Sequence, residues 1–173
     1  MLIEKDKSSL LIIDVQEKLV SAMPKPHKFI DNIIKLQKAA NILQVPITLT
    51  EQYPKGLGRT IDKIRENTKN AAVEKTDFSI AIDSTKIVNN MIICGIEAHV
   101  CVLQTAIESA DNDMKVYVVQ DAVSSRYEKD YLMALSRLDK HPNIQIVSCE
   151  MVLFEWLRSS DHPEFKTISQ LIK

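Results

Sequence analysis

Three side chains of complementary chemistry stand close behind apolar runs. Asp14 follows LLII, Lys75 closes AAVEK, and Cys101 lies in ICGIEAHVC, beyond the run MIIC. A thiol, a carboxylate and an ammonium group supply a nucleophile, a proton acceptor and a charge that holds the other two in place. Cys101 falls where a helix is expected to begin. There the unpaired backbone N–H groups and about half a unit of positive charge favour the thiolate. Such surroundings draw a thiol pKa from about 8.5 to between about 3.5 and 7.5, and the same N–H groups suit an oxyanion. The competing reading of Cys101 is a small hydrophobe packed between helix and sheet. Cys94, inside MIIC, and Cys149, before the last helices, are read as packing residues.

The partners of a reactive thiol come from elsewhere in the fold. Asp14 suits the base if the first and fourth strands are neighbours; its alternative is a helix N-cap. Lys75 suits the charged partner, or else a solvated surface position. His99, although near in sequence, is read as pocket wall or loop surface. In an open parallel sheet ligands bind beyond the carboxyl ends of the strands. That rule selects Asp14 and Gln16, Glu51 and Gln52, Glu74 and Lys75, Glu97 to Cys101, and Asp121.

The elements that must position these residues are legible as alternating patterns. Strand-length apolar runs occur at Leu10–Ile13, Pro46–Leu49, Ala71–Val73, Met91–Cys94, Val116–Val119 and Ile144–Val147. Most are apolar on consecutive positions, as parallel strands covered on both faces require. Between them, Phe29, Ile33, Leu36, Ala40 and Leu43 form one helical stripe, Leu103, Ala106, Ile107 and Ala110 a second, and Tyr131, Leu132, Leu135 and Leu138 a third. Strand and helix in alternation predict an α/β fold, doubly wound, with about six parallel strands and helices on both faces. EQYPKGLGRT, holding two of the three glycines, reads as an active-face loop or a surface connection. The C-terminal CEMVLFEWLRSSDHPEFKTISQLIK reads as a helix, a turn at Asp161-His162-Pro163 and a second helix. Phe154 and Trp156 pack these against the body or against another subunit.

At 173 residues the chain is expected to form one domain over 1–173, burying roughly 70% of its unfolded surface. A formal net charge of -1 with both signs scattered disfavours nucleic acid and anionic membrane as partners. Three cysteines without a CxxC pair suggest neither a disulfide framework nor a zinc site, and the N-terminus lacks a cleavable signal pattern. The expectation is a cytoplasmic protein with reduced thiols, no cofactor or metal, and a small-molecule substrate.

In LLIIDVQEKL, TEQYPKGLG, EKTDFS, ICGIEAHVCVLQTA and VYVVQDAVSSR, in that order, the chain resembles the isochorismatase-like cysteine hydrolases over nearly its whole length. It looks closest to the small hydrolases of that family and more distant from nicotinamidases. The latter carry an Asp-x-His metal site where this chain has EQYPKGLG. The resemblance implies Asp14 as general base, Lys75 as charged partner and Cys101 as nucleophile. It further implies a cis peptide bond at Ile96–Glu97, an oxyanion hole from the Glu97 and Cys101 N–H groups, and homo-oligomers. The reaction expected is hydrolysis of a small amide-type C–N bond, with Gln16, Glu51, Tyr53, Phe78 and His99 lining the pocket. Vinyl-ether hydrolysis without the thiol, or a non-catalytic binding role, are the alternatives.

Overall fold

The computed structural model describes residues 2–80 and 89–173. Its strands are β1 (Ser8–Ile13), β2 (Ile47–Gln52), β3 (Val73–Lys75), β4 (Asn90–Ile96), β5 (Lys115–Ser124) and β6 (Ile144–Val147). They form one parallel sheet in the order β3-β2-β1-β4-β5-β6. Chain order therefore reverses between β1 and β4, where Ile13 pairs with Gly95. This is the switch point at which such folds bind ligands.

Helices α1 (Glu17–Val20), α2 (Pro26–Leu43), α3 (Pro54–Leu57) and α4 (Asp62–Arg65) precede β3, and α5 (Leu103–Asp111), α6 (Glu128–Leu138), α7 (Cys149–Leu157) and α8 (Phe165–Ser169) follow β4. The two-residue strand period sorts the core into two layers. Leu10, Ile12, Ile92 and Cys94 pack with Phe29, Ile33 and Leu36 of α2 and Trp156 of α7. Leu11, Ile13, Met91 and Ile93 face the other way, onto Ala106 and Ala110 of α5 and Ala134 and Leu138 of α6. Cys94 and Cys101 thus belong to opposite layers.

Several boundaries differ from the sequence reading, three of them next to the site. β3 begins at Val73, because its pairing with β2 aligns Thr50 with Val73 and Gln52 with Lys75. β5 continues to Ser124 with an irregularity opposite Ile93 and Gly95, which carries its polar end alongside the carboxyl end of β4. The stretch from Glu51 is not all loop: Glu51 and Gln52 end β2, and the short α3 and α4 follow. The C-terminal helices pack inside the chain itself. Val152, Leu153, Trp156 and Leu157 are buried, Trp156 Nε1 donates to Ser8 Oγ at 3.2 Å, and Phe154 stacks at a tilt on Phe165.

Candidate active site

Asp14 leaves β1 in a left-handed conformation, φ 52°, which a short polar side chain tolerates. Its carboxylate is wholly buried and fully engaged. Thr50 Oγ1 donates to Oδ1 at 2.6 Å, and Lys75 Nζ donates to Oδ2 at 2.8 Å. Lys75 ends β3, and its ammonium group also reaches Gln52 Oε1 at 2.8 Å and the carbonyls of Phe78 and Asp77 at 3.0 and 3.3 Å. Neither charge stands alone, which is the condition for burying both.

Cys101 lies in a π-helical turn, Ala98–Val102, that leads directly into α5. Wider π turns recur at functional sites. The Glu97 carbonyl accepts from the N–H groups of Val100 and Val102 and passes over that of Cys101 between them. The thiol is 6% exposed and sits within reach of both Asp14 and Lys75. Burial pushes it up to about 12, the charge and hydrogen bond of Asp14 add to the rise, and Lys75 opposes it. The expected low-pKa thiolate is therefore corrected. Desolvation and a neighbouring anion outweigh the lysine and the helix start.

The proton count is compatible with a reactive thiol at this position. Thiol, carboxylate and ammonium together are neutral, whereas thiolate beside carboxylate would leave one surplus negative charge in a buried site. Moving the proton from Cys101 to Asp14 keeps the total unchanged and leaves thiolate paired with ammonium. The high thiol pKa describes loss of the proton to water, not its transfer across the site.

The backbone allows this close approach at one point. Gly95 has φ 113°, and a Cβ there would collide with the backbone of Ile13. The Ile96–Glu97 peptide bond that follows is cis. The buried Glu97 carboxylate is gripped by Arg126. Burial pushes that carboxyl up, but the hydrogen bonds and charge of Arg126, with a smaller share from His99, hold it below its ordinary value.

Of the expected pocket residues, Tyr53 lines a cleft of about 610 Å³ together with Lys55, Glu74, Lys75, Asp77 and Ser79. The side chains of Gln16 and Glu51 are engaged within the fold. The Gln16 amide donates to the carbonyls of Gln52 and Gly58 and accepts from the Gln52 N–H. Glu51 accepts from the N–H and hydroxyl of Thr60 and borders a separate cavity. Phe78 is half-exposed, and its carbonyl holds Lys75. His99 Nδ1 lies 2.9 Å from Ser125 Oγ. Part of the segment after Phe78, expected to shape the pocket, lies outside the described residues. Asp121 caps α7 by accepting from the Cys149 N–H. Cys149 itself is buried, and burial followed by the Asp121 charge pushes its thiol up to about 12. Among the described residues no cluster of three or more His, Cys, Asp or Glu side chains could hold a metal ion, and no helix is long and apolar enough to cross a membrane.

Thr50 and Arg126 are site residues that the sequence reading missed. Thr50 opens the quoted stretch TEQYPKGLG, and only its pairing with Ile13, the residue before Asp14, brings its hydroxyl to the carboxylate. Arg126 closes the quoted stretch VYVVQDAVSSR, where only its position behind a strand could have drawn notice.

The doubly wound parallel sheet, with Asp14 and Lys75 paired beyond the carboxyl ends of its strands, places the chain among the α/β proteins. Residues 8–150 match the Isochorismatase domain, and the chain belongs to the isochorismatase-like hydrolase family. It is 38% identical over 173 residues to isochorismatase domain-containing protein 2 of Danio rerio, covering 95% of this chain and 86% of that protein. It is 33% identical over 180 residues to isochorismatase family protein 1B of Dictyostelium discoideum, covering 97% and 87%. Among solved structures, that of MAR1 ribonuclease from Caenorhabditis elegans superimposes with a TM-score of 0.93 at 38% identity, covering 99% of this chain and 92% of that one.

Proposed function

We propose that this chain is a single-domain cysteine hydrolase that cleaves a small amide-type C–N bond through a thioester. The observation that carries the reading is the 2.8 Å contact between Lys75 and the buried Asp14, with the Cys101 thiol in reach of both. As substrate enters, Asp14 takes the thiol proton and the sulfur forms a bond to the carbonyl carbon. The N–H groups of Glu97 and Cys101 receive the oxyanion. Collapse breaks the C–N bond, and Asp14 passes its proton to the departing amine. Water, deprotonated by Asp14, then attacks the thioester, the C–S bond breaks, and the proton returns to sulfur. One amide and one water become one acid and one amine.

The cleft of about 610 Å³ beside Lys75 has the size of an ordinary small-molecule pocket. An RNA substrate, suggested by the name of the C. elegans protein, would call for a basic track. Here the cleft cations Lys55 and Lys75 are matched by Glu74 and Asp77, and the formal net charge is -1. The test is a panel of small amides and activated esters assayed with wild type, Cys101→Ala, Cys101→Ser and Asp14→Asn. Loss of turnover in all three variants is expected. A vinyl ether added to the panel and hydrolysed by both Cys101 variants but not by Asp14→Asn would instead favour vinyl-ether chemistry that bypasses the thiol.

Self-association is part of the same proposal, and so is a cytoplasmic location. Leu2, Met151 and Phe154 are exposed around one shallow cavity of about 460 Å³, an apolar surface suited to a second copy. Light scattering should give a multiple of the 19.6 kDa chain mass, reduced by Phe154→Glu. A monomeric wild type would rule it out.

A further inference from the structure

VYVVQDAVSSR supplies no side chain to the thiol, carboxylate and ammonium set. Its last two residues nevertheless grip the loop that carries the proposed oxyanion donors. Ser125 Oγ meets His99 Nδ1 at 2.9 Å, inside the π turn. Arg126 meets Glu97, at the entry to that turn, in four ways: its backbone N–H donates to Oε2 at 2.9 Å, Nη2 to Oε1 at 2.7 Å, and Nε to both oxygens at 3.2 Å. The Glu97 side chain is 5% exposed and that of Arg126 51%. A buried carboxylate thus depends on one guanidinium reaching in from the surface and on the backbone beneath it. A planar fork holds a carboxylate in plane as well as in place. The carboxylate belongs to the residue whose own N–H is the proposed oxyanion donor.

We propose that Arg126 is a positioning residue for the oxyanion hole, its fork on the Glu97 carboxylate fixing the aim of the Glu97 N–H. The inference rests on the acyl-transfer reading above. It separates oxyanion stabilisation from thiol reactivity, because the Arg126 guanidinium bonds Glu97 and neither Cys101 nor Asp14.

The test compares two probes of Cys101 in wild type, Arg126→Gln, Arg126→Lys and Cys101→Ala. p-Nitrophenyl acetate acylates through an oxyanion; iodoacetamide alkylates without one. Arg126→Gln should slow acylation on the order of 10–100-fold, short of or near the loss of a whole donor, while alkylation keeps its wild-type rate. Arg126→Lys, which keeps the charge but not the fork, should recover part of the loss. The amide resonance of Glu97 in a heteronuclear NMR spectrum should move in Arg126→Gln. Wild-type acylation in Arg126→Gln overturns the inference, as does an equal fall in acylation and alkylation, which would mark a merely structural role. If wild type shows no acylation that depends on Cys101, the acyl-transfer reading fails and the positioning role falls with it, an outcome distinct from wild-type acylation in Arg126→Gln, which overturns the positioning role alone.

Discussion

At Cys101, burial and the Asp14 carboxylate that serves as base in the proposed reaction keep the resting sulfur protonated. Burial and the Asp14 carboxylate raise the thiol to about 12, with Lys75 offsetting only part. Iodoacetamide alkylation of Cys101, followed by peptide mass spectrometry, should therefore be slow through neutral pH and keep rising above pH 9. An inflection at or below about 8.5, the ordinary thiol range, would contradict this. Asp14→Asn removes one source of the rise, so its inflection should move down. The variant's thiol becomes easier to ionise even as turnover is lost, since an amide can neither take the thiol proton nor return it to the leaving amine. A base whose removal increases thiol acidity separates proton transfer within the site from proton loss to water.

At the scale of elements, the site depends on β1 and β4 running close enough for Asp14 and Cys101 to meet. Gly95 makes that approach possible, and a Cβ there would press into the Ile13 backbone. Gly95→Ala should lower the melting temperature by about 5–10 °C if the protein remains soluble, from backbone strain of about 1–3 kcal/mol plus displacement of the strand pair. An unchanged melting curve would show that the loop relaxes freely. Much of this frame was legible in the sequence, because two-sided burial makes β1 and β4 continuous apolar runs and a helical stripe such as Phe29 to Leu43 has a period of its own. Asp14, Lys75 and Cys101 stood out by chemistry at strand ends. The polar clamps did not. Gln16 and Glu51 resemble pocket residues in sequence, and only the folded chain brings their side chains to Gly58 and Thr60. The thiol's ionisation was misjudged for a similar reason: a helix start is visible in sequence, but the desolvation around it is a property of the packed fold.

For the whole molecule, the three buried thiols predict how stability varies with pH. Burial raises Cys94 well above its ordinary value, and Cys101 and Cys149 to about 12. In the unfolded chain these thiols ionise from about pH 8.5 upward, while the folded chain keeps their protons. Where the folded state binds more protons than the unfolded one, stability falls as pH rises. Their contribution is fully present below about pH 8 and lost as pH climbs from about 9 toward 12. Melting temperature should decline across that window, and Cys149→Ala should make the decline shallower. A flat profile between pH 8 and 11 would mean that the thiols are solvated in the fold.

The central claim is that Cys101 becomes covalently acylated, and rapid-quench mass spectrometry of the intact protein tests it most directly. Mixing wild type with p-nitrophenyl acetate and quenching in acid should trap one acetyl group, mapped to the peptide containing Cys101. The adduct should form slowly in Asp14→Asn and be absent in Cys101→Ala. Turnover by wild type with no adduct on Cys101, or turnover retained in Cys101→Ala, would contradict the account.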